Sequence, residues 1–350
     1  MTNLIVFGSF LLVCLAGAGY LMSKMPGRSF SGPLPELSVA EQFLEDRLRS
    51  HVDILAGSIG ERNLWQYDNL ERAADYIEKQ FKLTGLPTRS LPYEAAGKQV
   101  RNIEAEILGT DESPASLVVG AHYDSLIHTP GANDNASGIA ALLELARLLS
   151  QGEVRLSVRV VAFVNEEPPM FKTSRMGSWF YAQQLRKEGA NLAGMISLET
   201  IGYYTTEPLS QKFPLPMLRL FYPRCGDFLA LVGNRKSNDL LKRSVRLFRQ
   251  HAAMPSQGIV APGWLPGADW SDHWSFWKIG CPAIMVTDTA LFRYPYYHDR
   301  EDTPDKLNYD ALARVVSGLH AMIGALAGES TPVGLHPDLK TAVSGSAAKS

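Results

Sequence analysis

The chain has 350 residues, 45% of them hydrophobic, and 34 Lys and Arg stand against 36 Asp and Glu for a formal net charge of −2. This length and apolar content suffice for one large α/β domain or two smaller ones. The balanced charge gives no electrostatic footprint for nucleic acid and no nucleic-acid-binding motif is visible, so DNA and RNA are not expected partners.

Residues Leu4 to Met22 carry no charge and include Leu11, Leu12, Val13 and Leu15. At ~1.5 Å rise per residue such a run approximates the hydrocarbon thickness of a bilayer, so residues 1–24 read as an apolar anchor or signal segment. Ala16-Gly17-Ala18 fits a signal-peptide cleavage pattern, whereas the lack of Lys or Arg before Leu4 argues against cleavage. Lys24 and Arg28 after the run favour a cytoplasmic location for the globular part of the chain. The expectation is a membrane-anchored or exported (periplasmic or extracellular) protein, with the side left open. Of three cysteines, Cys14 lies in this run, and Cys225 and Cys281 read as free thiols ahead of a disulfide.

Pro26, Gly27, Gly32, Pro33 and Pro35 mark residues 25–37 as a linker. Ser38 and Glu41 form a capping-box pattern ahead of a helix carrying Val39, Phe43, Leu44, Leu48, Val52 and Ile54. A second helix spans about 64–83 and stops at Gly85-Leu86-Pro87, followed by strands near 88–93 and 100–108. Leu117, Val118 and Val119 then lead into His122-Tyr123-Asp124, a loop with Pro130, Gly131 and Asp134, and a helix to Leu149. In open α/β sheets ligands sit beyond the carboxyl ends of strands, which makes this loop the expected site. His122 offers an imidazole nitrogen, and Asp124 is spaced either to ligate a metal or to hold that ring. Asp134, among small residues, could bridge two metal ions, although an ordinary turn and helix cap would use the same residue types.

The strand at 156–164 delivers Asn165-Glu166-Glu167. Adjacent carboxylates leaving a strand point in different directions, so one can bind a metal while its neighbour acts as general base; an exposed acidic turn is the plainer reading of the pair alone. A helix near 174–188 precedes a strand at 193–198 that ends in Glu199. Three apolar strands thus end in a carboxylate or imidazole, which three unrelated surface turns would not be expected to do. Residues 203–265 contain a Pro- and Thr-rich loop, a strand near 228–232, and a basic helix near 237–251 whose Lys and Arg read as a solvated face. Ser271-Asp272-His273 precedes Trp274, Phe276 and Trp277, which read as core ahead of pocket wall. A strand at 283–286, the loop bearing Tyr297-His298, and a helix at 309–326 close the chain, with 329–350 a tail without fixed structure.

Together, His122-Tyr123-Asp124-Ser125, Pro130 to Gly138, Asn165-Glu166-Glu167, Glu199 before Ile201-Gly202, Ser271-Asp272-His273 and Tyr297-His298 resemble the M28 family of co-catalytic zinc peptidases over about residues 39–326. The resemblance implies an α/β domain over 38–328, with 203–265 variable. It would have the zinc-peptidase (phosphorylase/hydrolase-like) fold: a mixed, mostly parallel central sheet with helices on both faces. It implies two zinc ions sharing Asp134, one held also by His122 and Glu199 and the other by Glu167 and His298. Glu166 matches the general base and Asp124 the residue orienting the His122 ring, for hydrolysis that releases N-terminal amino acids from a peptide substrate. Three departures stand out: Asn133 and Glu199 occupy positions where Asp is frequent, and Pro168-Pro169 follows the paired glutamates. Alternatives on the same fold are a glutaminyl-cyclase-like acyltransferase, a carboxypeptidase using Arg175 or Arg293 for a substrate carboxylate, and a binding module without activity. Oligomeric state is not legible.

Overall fold

The computed structural model describes residue 17, residues 22–111 and residues 115–328. The expected apolar segment (all but Gly17 and Met22) and the 329–350 tail lie outside these residues. No described helix is long and apolar enough to cross a membrane.

Helix α1 (Val39–Val52) starts at the expected capping box: Ser38 Oγ accepts from Glu41 N, and the Glu41 carboxylate accepts from Ser38 N. A π-helical turn, Asp53–Ile59, continues it, and α2 (Tyr67–Leu83) follows. Strands β1 (Thr88–Ala95), β2 (Lys98–Ile107) and β3 (Ser116–His122) lead to α3 (Gly138–Leu149), β4 (Ser157–Phe163), α4 (Gly177–Lys187) and β5 (Leu192–Glu199). Then come β6 (Leu229–Gly233), α5 (Asn238–His251), β7 (Ser256–Val260), α6 (His273–Lys278), β8 (Ala283–Thr287) and α7 (Tyr309–Leu326). The sequence pattern anticipates most of these but not β7 or α6.

All eight strands form one sheet in the order β1-β2-β4-β3-β5-β8-β6-β7. The central strands β4, β3, β5 and β8 are mutually parallel, while β2 runs antiparallel to β4 and β6 to β8. Side chains alternate between the two faces as strand geometry requires. Leu117, Val119, Ala121, Val160 and Ile196 pack into a large core with α1, α2, α3, α5 and α7. Val118, Val161, Phe163 and Met195 pack on the other face with Tyr181 of α4 and Phe276 of α6. Gly120 is required between them, since a Cβ there would lie 2.3 Å from the Phe163 ring. The chain passes from β3 to β4 on one side and returns across β3 to β5, so strand order reverses beside β3 and the parallel carboxyl ends open there.

Residues 25–37, the expected linker, are tied to the domain by hydrogen bonds. Arg249 of α5 donates to Pro26 O (3.1 Å) and Gly27 O (3.0 Å), Ser256 N donates to Ser29 Oγ, and Arg314 donates to Pro35 O. Met25 packs on the core against Gly258. Arg243 and Arg246 of α5 are solvated as expected, but Arg249 is committed to this strap.

Within the large core, Glu144 of α3 is fully buried and bonded to Arg47, Arg147 and His51. Burial raises its pKa, but the three basic partners outweigh this and bring it down to about 2. A carboxyl depressed in the folded state stabilises fully above its unfolded pKa near ~4.3, and that stability is lost as pH falls toward 2. Unfolding of the metal-free chain should therefore lose on the order of 3 kcal/mol between about pH 5 and pH 2 through this group. Glu144→Gln should be less stable at pH 7 and have a flatter acid limb in urea titrations. An unchanged acid limb in that variant would remove Glu144 from the account.

Candidate metal centre

His122 ends β3 and Glu199 ends β5. Gly120 pairs with Ser197, so the residues two further along each parallel strand emerge side by side. His122 Nε2 lies 3.3 Å from Glu199 Oε2 and 3.4 Å from Asp134 Oδ1. The other Asp134 oxygen is 3.2 Å from His298 Nε2, which is 3.6 Å from Glu167 Oε2. Two ligand sets result, His122/Asp134/Glu199 and Asp134/Glu167/His298, each with its ligand atoms within 4.8 Å of one another. Glu166 belongs to neither set, although its Oε2 lies 3.9 Å from His122 Nε2. The structure thus brings together all seven residues singled out in the sequence.

Asn165, Thr200 and His298 have φ of 60°, 44° and 60°, left-handed conformations that non-glycine residues adopt at some cost. Asn165 and Thr200 adjoin Glu166 and Glu199, and His298 is itself in a donor set, so the backbone turns sharply where these side chains are aimed. Asp124 grips the turn after Asn165, its two carboxylate oxygens accepting from Glu166 N (3.1 Å) and Glu167 N (3.0 Å). His122 Nδ1 lies 3.2 Å from the Asp124 carbonyl and 3.5 Å from its carboxylate. Asp302 does the same for the Asp134 turn, accepting from Asn133 N (2.8 Å) and Asp134 N (3.1 Å), with Tyr294 donating to it at 2.7 Å. Ser271 Oγ donates to Glu199 Oε2 at 2.8 Å.

The Asn133 departure has a physical reason. Asn133 Nδ2 donates to Asp288 Oδ2, and its Oδ1 accepts from Gly202 N. An ionised Asp at 133 would set a second carboxylate against Asp288, which burial already pushes up to about 6. The longer Glu199 is accommodated by Ser271. Pro168 and Pro169 are exposed and do not line the apolar cavity beside the cluster.

Sequence reasoning missed Arg62, Asp288 and Asp302. Arg62 is fully buried and donates to the carbonyls of Tyr123, Pro130 and Gly131. Asp302 follows the loop bearing Tyr297-His298, but its role depends on an amide 168 positions away. Trp274 and Trp277 are partly buried, Phe276 is core, and none of the three lines the cavity, as expected. Cys225 and Cys281 are free thiols. Arg293 is committed to Gln211 Oε1 (3.0 Å) and Phe228 O (2.8 Å), whereas Arg175 is exposed.

The donor set fits divalent metal. Glu167 Oε1 is buried without a hydrogen-bond partner, and two imidazoles with three carboxylates suit zinc. Burial and the neighbouring carboxylates Asp134 and Glu166 push Glu167 well above its ordinary value, and burial with Glu199 does the same to Glu166. Burial pulls His122 down, but Glu199, Glu166, Asp124 and Asp134 reverse this and carry it well above 6.5. Such crowding of negative charge is relieved by cations.

An apolar cavity with about 120 Å³ available to the centres of water molecules opens beside this cluster, with Glu199 and Tyr297 in its wall. Phe213, Leu218, Phe228, Ala230, Met285 and Phe292 supply much of the remainder. The variable region, β6 and the loop after β8 therefore build it.

Beside this reversal of strand order, two donor triads that could each hold a metal ion share one aspartate, the arrangement expected of a metal-dependent hydrolase. The chain belongs to peptidase family M28, whose sequence model matches residues 102–323. It is 38% identical over 286 residues to the Escherichia coli (strain K12) protein YfbL, covering 79% of this chain and 87% of that one. Its fold is similar to that of BSAP, a zinc aminopeptidase from Bacillus subtilis (TM-score 0.63, 16% identity, 83% of this chain and 95% of that chain). It is likewise similar to that of Fimbriiglobus ruber glutaminyl cyclase (TM-score 0.60, 20% identity, 86% and 98%). The mixed α/β fold expected from the sequence is thereby borne out, as is the family.

Proposed function

We propose that the protein is a zinc aminopeptidase that binds two ions, one at His122, Asp134 and Glu199 and the other at Asp134, Glu167 and His298. The observation that carries this reading is the sharing of Asp134 between two donor triads while Glu166, equally buried, stays outside both. When bound, zinc supplies Lewis acidity and makes water more acidic. Glu166 removes the proton of the attacking water and returns it to the leaving amine. Asp124 fixes Glu166 and Glu167 in their different directions by holding both of their backbone amides. The carboxylate-rich cluster favours a substrate ammonium over a carboxylate, which supports release of N-terminal residues over a carboxypeptidase action.

The cavity supports a bulky apolar residue next to the scissile bond. Its volume holds on the order of ten waters, enough for an aromatic or long aliphatic side chain. The test is a panel of free and N-acetylated aminoacyl anilides and an N-terminal glutaminyl peptide, with and without chelator. Leu and Phe substrates should be cleaved with a free amino group, poorly when acetylated, and not after zinc removal. Equal cleavage of acetylated substrates would sink the aminopeptidase reading, and cyclisation of the glutaminyl peptide without hydrolysis would replace it with acyl transfer. Ala230→Phe, which fills the cavity, should lower kcat/KM for Phe relative to Ala substrates by roughly 10–200-fold. Unchanged selectivity in that variant would detach the cavity from substrate choice.

A further inference from the structure

Arg62 is the largest side chain buried without exposure, and it follows the π-helical turn after α1. Its Nε donates to Tyr123 O at 2.6 Å, its Nη1 to Pro130 O at 2.5 Å and Gly60 O at 3.2 Å, and its Nη2 to Gly131 O at 2.8 Å. None of these partners is a carboxylate. A buried cation without a direct counter-ion is costly, so the fold retains it against a penalty of several kcal/mol.

The guanidinium holds two specific points of the chain. Tyr123 lies between His122 and Asp124, where the loop leaves β3, and Pro130 and Gly131 lie where it turns into Asp134. Both ends of one loop are therefore fastened to a single rigid plane. Gly131 has φ +62° and so little room that a Cβ would lie 2.4 Å from Asp134 O and 3.3 Å from Arg62 Nη2. The backbone of Arg62 joins the same loop: Arg62 N donates to Ser125 Oγ, Ser125 N donates to Arg62 O, and Ser125 Oγ donates to Thr129 O. The positive charge also faces Asp302, Asp124, Asp134 and Glu167; burial pulls its pKa down to about 10, which leaves it a cation at neutral pH.

We infer that Arg62 is a positioning residue for the metal centre: by tying the two ends of the Tyr123–Gly131 loop to one guanidinium, it sets the distance of Asp134 from His122 and supplies a charge the carboxylates face. The inference rests on the two-metal reading above. Lysine at 62 keeps the charge but is a point donor and cannot span both ends.

The test is Arg62→Lys, read by zinc affinity in chelator competition, by the visible spectrum of the cobalt-substituted protein, and by kcat and KM. The variant should keep its circular dichroism, bind zinc about 10–100-fold more weakly, show an altered cobalt spectrum, and lose kcat with KM little changed. A lower melting temperature with wild-type zinc affinity and cobalt spectrum would reduce Arg62 to a packing role and overturn the inference. Should Arg62→Lys not fold, Ser125→Ala decides. It loosens the same loop with the guanidinium intact, and it should shift zinc affinity and the cobalt spectrum in the same direction by less, whereas unchanged values overturn the inference. A wild-type chain that takes up neither zinc nor cobalt would remove the metal reading and this inference together. A wild type that binds two ions beside an Arg62→Lys that binds them equally well removes the inference alone.

Discussion

Glu166→Gln should retain its zinc and its melting temperature while kcat falls by ~10²–10⁴, the cost typical of losing a general base. Glutamine keeps the shape and polarity of the side chain but cannot accept a proton. Its neighbour should behave differently. Glu167 Oε2 lies 3.6 Å from His298 Nε2 within a donor triad, and its Oε1 has no other partner, so Glu167→Gln should weaken metal binding first. KM should not be the main casualty of either change, because neither chiefly removes uniform substrate binding. Zinc content measured alongside kcat separates the two residues. Shedding of zinc by Glu166→Gln but not by Glu167→Gln would reverse their roles, and full turnover in both would end the hydrolase reading.

Asp134→Ala should take the purified protein from close to two zinc equivalents to nearly none and abolish activity. The reason lies in its two oxygens, one 3.4 Å from His122 and the other 3.2 Å from His298, so one substitution leaves both triads a donor short. Loss of either outer ligand should be milder, with His298→Ala sparing the His122 and Glu199 set. An Asp134→Ala protein that still holds two equivalents after dialysis would show that the shared position is not a bridge.

The parts of this architecture that depend on local pattern were legible. The Ser38–Glu41 box caps α1 as its spacing predicts, and the apolar period of Tyr309 to Leu326 gives α7 without error at either end. His122, the Glu166–Glu167 pair and Glu199 could be picked out because each follows an apolar run of strand length that ends at a polar residue. Strand β7 was not legible: Gln257 and Gly258 break the apolar period, and the strand exists through its parallel pairing with β6. Arg62, Asp302 and Asp288 were hidden for a related reason. Their partners Tyr123, Asp134 and Asn133 lie 61, 168 and 155 positions away, and no window of sequence contains both members of such a pair. Composition reads 25–37 as a linker because Pro and Gly are common there, and it carries no sign that the carbonyls of Pro26, Gly27 and Pro35 are taken by Arg249 and Arg314.

That strap changes the meaning of any attachment through the N-terminus. A free thirteen-residue leash would let the domain tumble and would make its encounters with a nearby surface a matter of linker statistics. Fastened along α5 and the start of β7, the strap leaves almost no slack. The point at which the described chain reaches the domain is thereby fixed beside the cavity, whose wall includes Gly258 next to Met25.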